Sequence, residues 1–249
     1  MIIFENTDYK IQSFISGMLS NNSYLITSKT SKKNIIIDIP YIPRDLFSKI
    51  PRDPLNKSNN VKNTIGIITH GHFDHIEGID FIKDRYGEIE IYMGFEDSKY
   101  LDYSGKITKL RSQEKIIHED IQLEIVYTPG HSQGSICLYF DVKEKKYLFS
   151  GDTLLINGTG RTDFQNGSSK DAYNSLFNKL LKLPDDTVLY PGHDYNGKLS
   201  STIGKEKQHN PRLQVRNVDE YVELMSNLNL AKPKLIDINV SRNIKLGAN

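Results

Sequence analysis

Seven His and Asp residues sit where short apolar runs give out, and their order limits the fold more than any other feature of the chain. They lie in four segments: Thr69-His70-Gly71-His72-Phe73-Asp74-His75, Thr128-Pro129-Gly130-His131-Ser132-Gln133-Gly134-Ser135, Phe149-Ser150-Gly151-Asp152-Thr153 and Tyr190-Pro191-Gly192-His193-Asp194. The chain has seven histidines in 249 residues, and three of them fall between positions 70 and 75. Composition alone would put about 0.2 there. Two histidines at i and i+2 of an extended strand end point to the same side, and Asp74 and His75 follow in the turn. Neutral imidazole and carboxylate are the donors that suit Fe, Zn and Mn. Each of the four segments follows a different short strand, so a fold that aligns strand ends on one edge would gather all seven.

The pattern between these points is mixed. Strands are predicted at 11–15, 23–27, 35–39, 64–69, 88–93, 121–128, 135–140, 147–150 and 188–190. A helical pattern starts at Ile76 and carries Ile79, Ile82 and Tyr86. A second helix begins near Ser168, which forms a capping box with Asp171. It places Tyr173, Leu176, Phe177, Leu180 and Leu181 on one face and ends at Pro184. A third runs from about Val218 with Tyr221, Val222, Met225 and Leu228 on one face. Several strands follow one another directly, which predicts an α/β sandwich with mixed sheets and not a doubly wound parallel sheet. Pro51–Asn63 reads as a surface loop.

Composition excludes several functions. Lys and Arg total 32 against 31 Asp and Glu, a net charge of +1, so charge alone does not recruit nucleic acid or an anionic membrane. No apolar run approaches the roughly 20 residues of a spanning helix. The start, MIIFENTDYK, carries early acidic residues and no apolar core, so a secretory signal is not expected. The single cysteine, Cys137, rules out an internal disulfide or a Cys-clustered zinc site. It falls in a predicted strand and is expected to face the interior. A soluble cytoplasmic location is the default. His118 and His209 have no motif around them and are expected at the surface.

The order H-x-H-x-D-H, P-G-H, G-D, P-G-H resembles the metallo-β-lactamase superfamily. That resemblance implies an αββα sandwich of two mixed β-sheets flanked by helices, with a metal site at one edge. Residues 1–249 would form one such domain, with a short C-terminal extension from about 205. Further segments, Gly160-Arg161-Thr162-Asp163-Phe164-Gln165, His193-Asp194-Tyr195, Asn210-Pro211-Arg212 and Leu228-Asn229-Leu230 with Pro233-Lys234, resemble the persulfide dioxygenase family. The match is close over about 64–80 and 121–239. It implies oxidation of a persulfide, usually glutathione persulfide, by O2 to sulfite and the free thiol. One Fe(II) per chain would be held by His70, His131 and Asp152. His72, Asp74, His75 and His193 match the superfamily's second metal position and would serve as outer partners. Arg161, Tyr195 and Arg212 match the positions that hold glutathione, while Asp163, Asn210 and Pro211 are expected to be turn and scaffold residues. The family is often dimeric, so a homodimer is an expectation of the same kind.

Three places depart from the family pattern. Gly71 and Phe73 occupy variable positions of the first loop, 40–63 lacks a smooth helix, and Val240-Ser241-Arg242-Asn243 replaces a Pro-Ala-Asn-type segment. The alternative reading is a glyoxalase II-type thioesterase with two metals, zinc among them. All its donors are present. Those enzymes hold glutathione with a helical extension, however, and only 56 residues follow His193. A non-catalytic sensor on the same fold would be marked by a lost ligand, and none is lost.

Overall fold

The computed structural model describes residues 1–17, 19–41, 63–99, 101–111, 114–143, 145–164, 166–194 and 197–230. The expectations for 42–62, Gln165, Tyr195 and 240–243 lie outside these residues. Strands β1 (Ile2–Glu5), β2 (Tyr9–Ser16), β3 (Asn21–Ser28), β4 (Asn34–Ile37), β5 (Thr64–Ile68), β6 (Glu90–Gly94) and β7 (Ile107–Leu110) form one sheet in chain order. It is antiparallel from β1 to β4 and parallel from β4 to β7. The second sheet uses β8 (Lys115–His118), β9 (Ile121–Tyr127), β10 (Ile136–Val142), β11 (Lys145–Gly151), β14 (Val188–Pro191) and β15 (Ser201–Thr202). Its order is β15-β14-β11-β10-β9-β8, with β11 and β14 parallel and the other pairs antiparallel. Between them in sequence, β12 (Leu154–Leu155) and β13 (Gly158–Thr159) form a two-residue ribbon.

Three apolar layers show why the sheets stack. The central layer joins the inner faces: Ile11, Tyr24, Ile26, Ile35 and Ile37 of the first sheet meet Leu123, Ile125, Leu138, Phe140 and Phe149 of the second. Period-2 alternation along β9, whose burial alternates over its first five residues, supplies one such face. On the outer face of the first sheet, Leu25, Ile36, Ile68 and Ile91 pack with Ile76 of α1 (Phe73–Ile76) and Ile79 and Ile82 of α2 (Ile79–Tyr86). On the outer face of the second, Val126, Cys137, Leu148 and Leu189 are covered by α4 (Ser169–Asn178), α5 (Ile203–His209) and α6 (Val218–Ser226). The short α3 (Phe95–Ser98) follows β6. The result is the expected αββα order of layers.

Strands β1, β7 and β8 and helices α3 and α5 were not expected, and two of the predicted helices differ in their bounds. The helix predicted from Ile76 starts earlier, at Phe73, and is broken at Glu77-Gly78. A Cβ at Gly78 would lie 2.2 Å from the Pro40 carbonyl oxygen, so close approach of that strand end requires glycine. The helix after Ser168 stops at Asn178, and Leu180–Lys182 continues as a 3-10 turn. Half of the expected capping box forms: Ser168 Oγ accepts from the Asp171 amide at 3.2 Å, while the Ser168 amide donates to the Gly130 carbonyl at 2.8 Å. Among the described residues, no helix is long and apolar enough to cross a membrane.

Candidate metal centre

The seven donors converge where the ends of both sheets meet. His70 follows β5, and Asp74 and His75 lie on α1, all from the first sheet's side. His131 follows β9, Asp152 follows β11 and His193 follows β14, all from the second. Gly151 takes φ +49°, which lets the chain turn out of β11 and aim Asp152 inward. At Gly192 a Cβ would sit 2.6 Å from Asp152 Oδ1 and 2.9 Å from His75 Cε1. The His193 turn therefore packs directly on the donors only because it carries no side chain there. It is anchored from the other sheet, where the Asn22 amide and the Tyr24 hydroxyl both donate to the Pro191 carbonyl, at 3.1 and 2.7 Å.

His70, His75, His131 and His193 are buried, and His72 is half-buried. Their donor atoms form three overlapping groups, each within 4.8 Å: His70–His72–His131, His70–His75–Asp152 and Asp74–His75–His193. The expected set of His70, His131 and Asp152 is divided between two of them, with His131 Nε2 3.7 Å from Asp152 Oδ2. His70 and His75 each belong to two groups, so the three groups form one continuous cluster of donors.

Second partners fix which nitrogen faces inward. His131 Nδ1 donates to the Arg161 carbonyl at 2.7 Å. His75 Nδ1 donates to Asp38 Oδ2 at 2.9 Å, and His70 Nδ1 faces Thr69 Oγ1 at 3.2 Å. That hydroxyl donates on to Asp38 Oδ2 at 2.8 Å. With the Nδ1 atoms occupied, Nε2 of His70, His75 and His131 is turned to the centre. These three nitrogens and Nε2 of His72 are buried without a hydrogen-bond partner among the described residues. A buried polar atom left unpaired costs free energy. A cation bound by these nitrogens would remove that cost, so the residues fit a metal.

The electrostatics agree. Burial pushes His72 down to about 3, with His131 adding to the shift, and burial with the neighbouring imidazoles holds His70 far below its ordinary value. Both imidazoles are therefore neutral at pH 7, the form that can bind a metal. Burial would raise Asp74 and Asp152, but His75 and His193 overcome it and hold both carboxyls well below the usual range. His193 goes the other way. Burial would lower it, yet Asp152 and Asp74 raise it to about 10. Its Nδ1 lies 2.8 and 2.9 Å from the two Asp152 oxygens and its Nε2 3.4 Å from Asp74 Oδ2.

The model of the family described as "Metallo-beta-lactamase superfamily" matches residues 67–193, the span that carries all seven donors. The chain belongs to that superfamily. Within it, the chain is similar to the mitochondrial persulfide dioxygenase ETHE1 of Homo sapiens, with 33% identity over 226 residues, 90% of this chain and 84% of that protein. It is also similar to a hydroxyacylglutathione hydrolase of Bartonella tribocorum, with 36% identity over 79% of this chain and 72% of that one. The crystal structure of ETHE1 from Myxococcus xanthus superposes with a TM-score of 0.76 at 31% identity, over 94% of this chain and 98% of that one. The resemblance to persulfide dioxygenases read from the motifs thus holds along nearly the whole chain.

The positions matched to glutathione binding are placed differently from one another. Arg161 adjoins the centre through its backbone, but its guanidinium forms a bidentate pair with Asp163 at 2.7 Å for both bonds and stacks 3.8 Å above the Phe164 ring. Arg212 is half-buried and donates to the Thr159 carbonyl. Asn210 is fully buried and donates to the Gly158 carbonyl at 2.9 Å, as expected of a scaffold residue. His209 is exposed as expected, whereas His118 is half-buried, with Nε2 3.1 Å from the Asn63 carbonyl. Sequence reasoning missed Asp38 and Asp97. Asp38 ends the run Ile35-Ile36-Ile37, and an acid at the end of a fully apolar strand was the available signal. Asp97 had none.

Proposed function

We propose that this protein is a persulfide dioxygenase, converting one low-molecular-weight persulfide, one O2 and one water to the free thiol, sulfite and two protons. The observation that carries this reading is similarity to persulfide dioxygenases over nearly the full length of both chains. In this reading His70, His131 and Asp152 hold one Fe(II), since two imidazoles and one carboxylate leave coordination positions open. When bound, the iron supplies the redox chemistry that O2 requires. The chain's own residues orient and insulate it. Asp38 and the Arg161 carbonyl fix the imidazole tautomers, and such partners tune ligand strength. His193 is hydrogen-bonded to Asp152 through Nδ1 and ion-paired with Asp74 through Nε2, contacts that support an outer role. Glutathione persulfide is the assigned substrate, with Arg161, Tyr195 and Arg212 as its binding residues. The site is assigned to a soluble cytoplasmic protein, as a homodimer.

A two-metal hydroxyacylglutathione hydrolase is the second reading, favoured by the complete Asp74–His75–His193 group. Both are tested on protein purified without oxygen from iron-supplied cells. One iron per chain, with O2 uptake and sulfite release on glutathione persulfide, is expected. Two metals per chain with thioester hydrolysis and no O2 uptake would reverse the assignment. Asp152→Ala should lose iron and O2 uptake together, with the far-UV circular dichroism unchanged.

A further inference from the structure

One buried carboxylate outside the donor set touches both loops that carry the histidines. Asp97, in the first turn of α3, is 3% exposed. Its Oδ2 accepts from the Gly71 amide at 2.8 Å and from Ser132 Oγ at 2.6 Å. Oδ1 accepts from the Gly134 amide at 2.8 Å. Gly71 separates His70 from His72, and Ser132 follows His131. A single side chain thus bonds on either side of the His70–His72–His131 group.

The contact is built for this spacing. A Cβ at Gly134 would lie 2.5 Å from Asp97 Cγ and from its backbone nitrogen, and one at Gly71 would lie 3.0 Å from Asp97 Cβ. Both loops therefore carry glycine where the carboxylate approaches. Ser132 and Ser135 extend the network, their hydroxyls 2.7 Å apart, and the Ser132 amide donates to Ser135 Oγ at 3.1 Å. The strands behind the loops share one backbone bond, Ile136 N–H to the Thr69 carbonyl at 2.8 Å. The partners of Asp97 are all neutral donors. A carboxylate has about four acceptor sites and suits three converging donors, while an amide of the same shape presents an N–H to one of them.

We propose that Asp97 is a positioning residue of the metal centre, clamping the His70–His72 loop of one sheet to the His131 loop of the other and so setting how tightly the centre holds its metal. This rests on the metal-centre reading and is indifferent to whether the reaction is oxidation or hydrolysis. Outer partners of metal ligands typically contribute about 10- to 100-fold to metal affinity.

The test uses the full chain loaded with Co(II), whose visible absorption reports ligand geometry. Asp97→Asn should shift that spectrum and speed release of Co(II) to a chelator by about 10- to 100-fold. Ser132→Ala removes one donor and should move both readouts the same way by less. Should Asp97→Asn fail to fold, Ser132→Ala decides alone. A lower melting temperature with wild-type spectra and release rates would mean a merely structural role and would overturn the proposal. Wild-type protein that binds no Co(II) would bring down the metal-centre reading and this inference together. Binding by wild type with unaltered variants would bring down the Asp97 assignment alone.

Discussion

His75 and His131 are held in one tautomer by acceptors drawn from elsewhere in the fold, Asp38 and the Arg161 carbonyl. The donors themselves were legible, because His and Asp at strand ends in a fixed order stand out against the composition. Asp97 was not, since a lone acid has no spacing to mark it and its partners meet it only in three dimensions, and Asp38 was marked only by its place after Ile35-Ile36-Ile37. The Arg161 side chain raises a different point. If Arg161 binds glutathione as proposed, a substrate carboxylate displaces Asp163 from this bidentate bond, in which Asp163 is 54% and Arg161 16% exposed. A pair open to solvent on the Asp163 side is worth about 1 kcal/mol, so Asp163→Asn should lower KM for glutathione persulfide roughly fivefold. Arg161→Ala should raise it roughly 10-fold or more, the loss of a charged hydrogen bond. Steady-state O2 uptake decides, and unchanged KM in both variants would reject glutathione as the recognised group. Cys137 gives a pH prediction. Burial pushes its thiol up to about 11, so the folded protein should resist iodoacetamide at pH 8. The folded pKa is raised, so the unfolded chain loses this proton first as pH climbs. The contribution to stability is complete below about pH 9 and is lost progressively toward about pH 11, a fall that Cys137→Ala should lack in urea titrations.

At the scale of elements, the long alternating strands and the capped helix were readable because local pattern and tertiary burial agree there. The breaks were not. Helix α1 begins at Phe73 because the turn of His72 feeds straight into it, and the Glu77-Gly78 break is imposed by the Pro40 carbonyl, a contact between residues 38 apart in the chain. The short strands β12, β13 and β15 hold two residues each and carry no periodicity to read. Helix α4 is the cover of the second sheet, and Leu176 is its fully buried centre among Cys137, Leu148 and Tyr221. Leu176→Ala removes packing on a layer that lies behind β9 and β11, the strands that aim His131 and Asp152. It should cost about 2–5 kcal/mol, read from the urea midpoint. Metal content per folded molecule should be unchanged, because the donors' own hydrogen bonds are untouched.

For the whole molecule, the decisive fact is that the donors are contributed by both sheets. Without a cation, the centre keeps several unpartnered imidazole nitrogens beside two ionised carboxylates at the edge where the sheets meet. Nothing in periodicity or composition reports this, since it appears only once strands far apart in sequence are stacked. In the proposed reading His70 of one sheet and His131 and Asp152 of the other would hold the metal, which would bind the folded chain alone because the unfolded chain has no such site. Linkage then sets the size of the effect: at a free metal concentration of a thousand times Kd, binding adds about 4.1 kcal/mol. For a chain of this size that raises the melting temperature by roughly 8–16 °C. Stripping metal with a chelator should therefore lower the calorimetric midpoint by that range and restore it on addition of Fe(II) or Zn(II). Asp152→Ala, which keeps the sheets but removes a proposed ligand, should melt near the stripped wild type and respond less to either treatment. Equal midpoints for loaded and stripped wild type would mean that the centre does not join the sheets through a metal, whatever its activity.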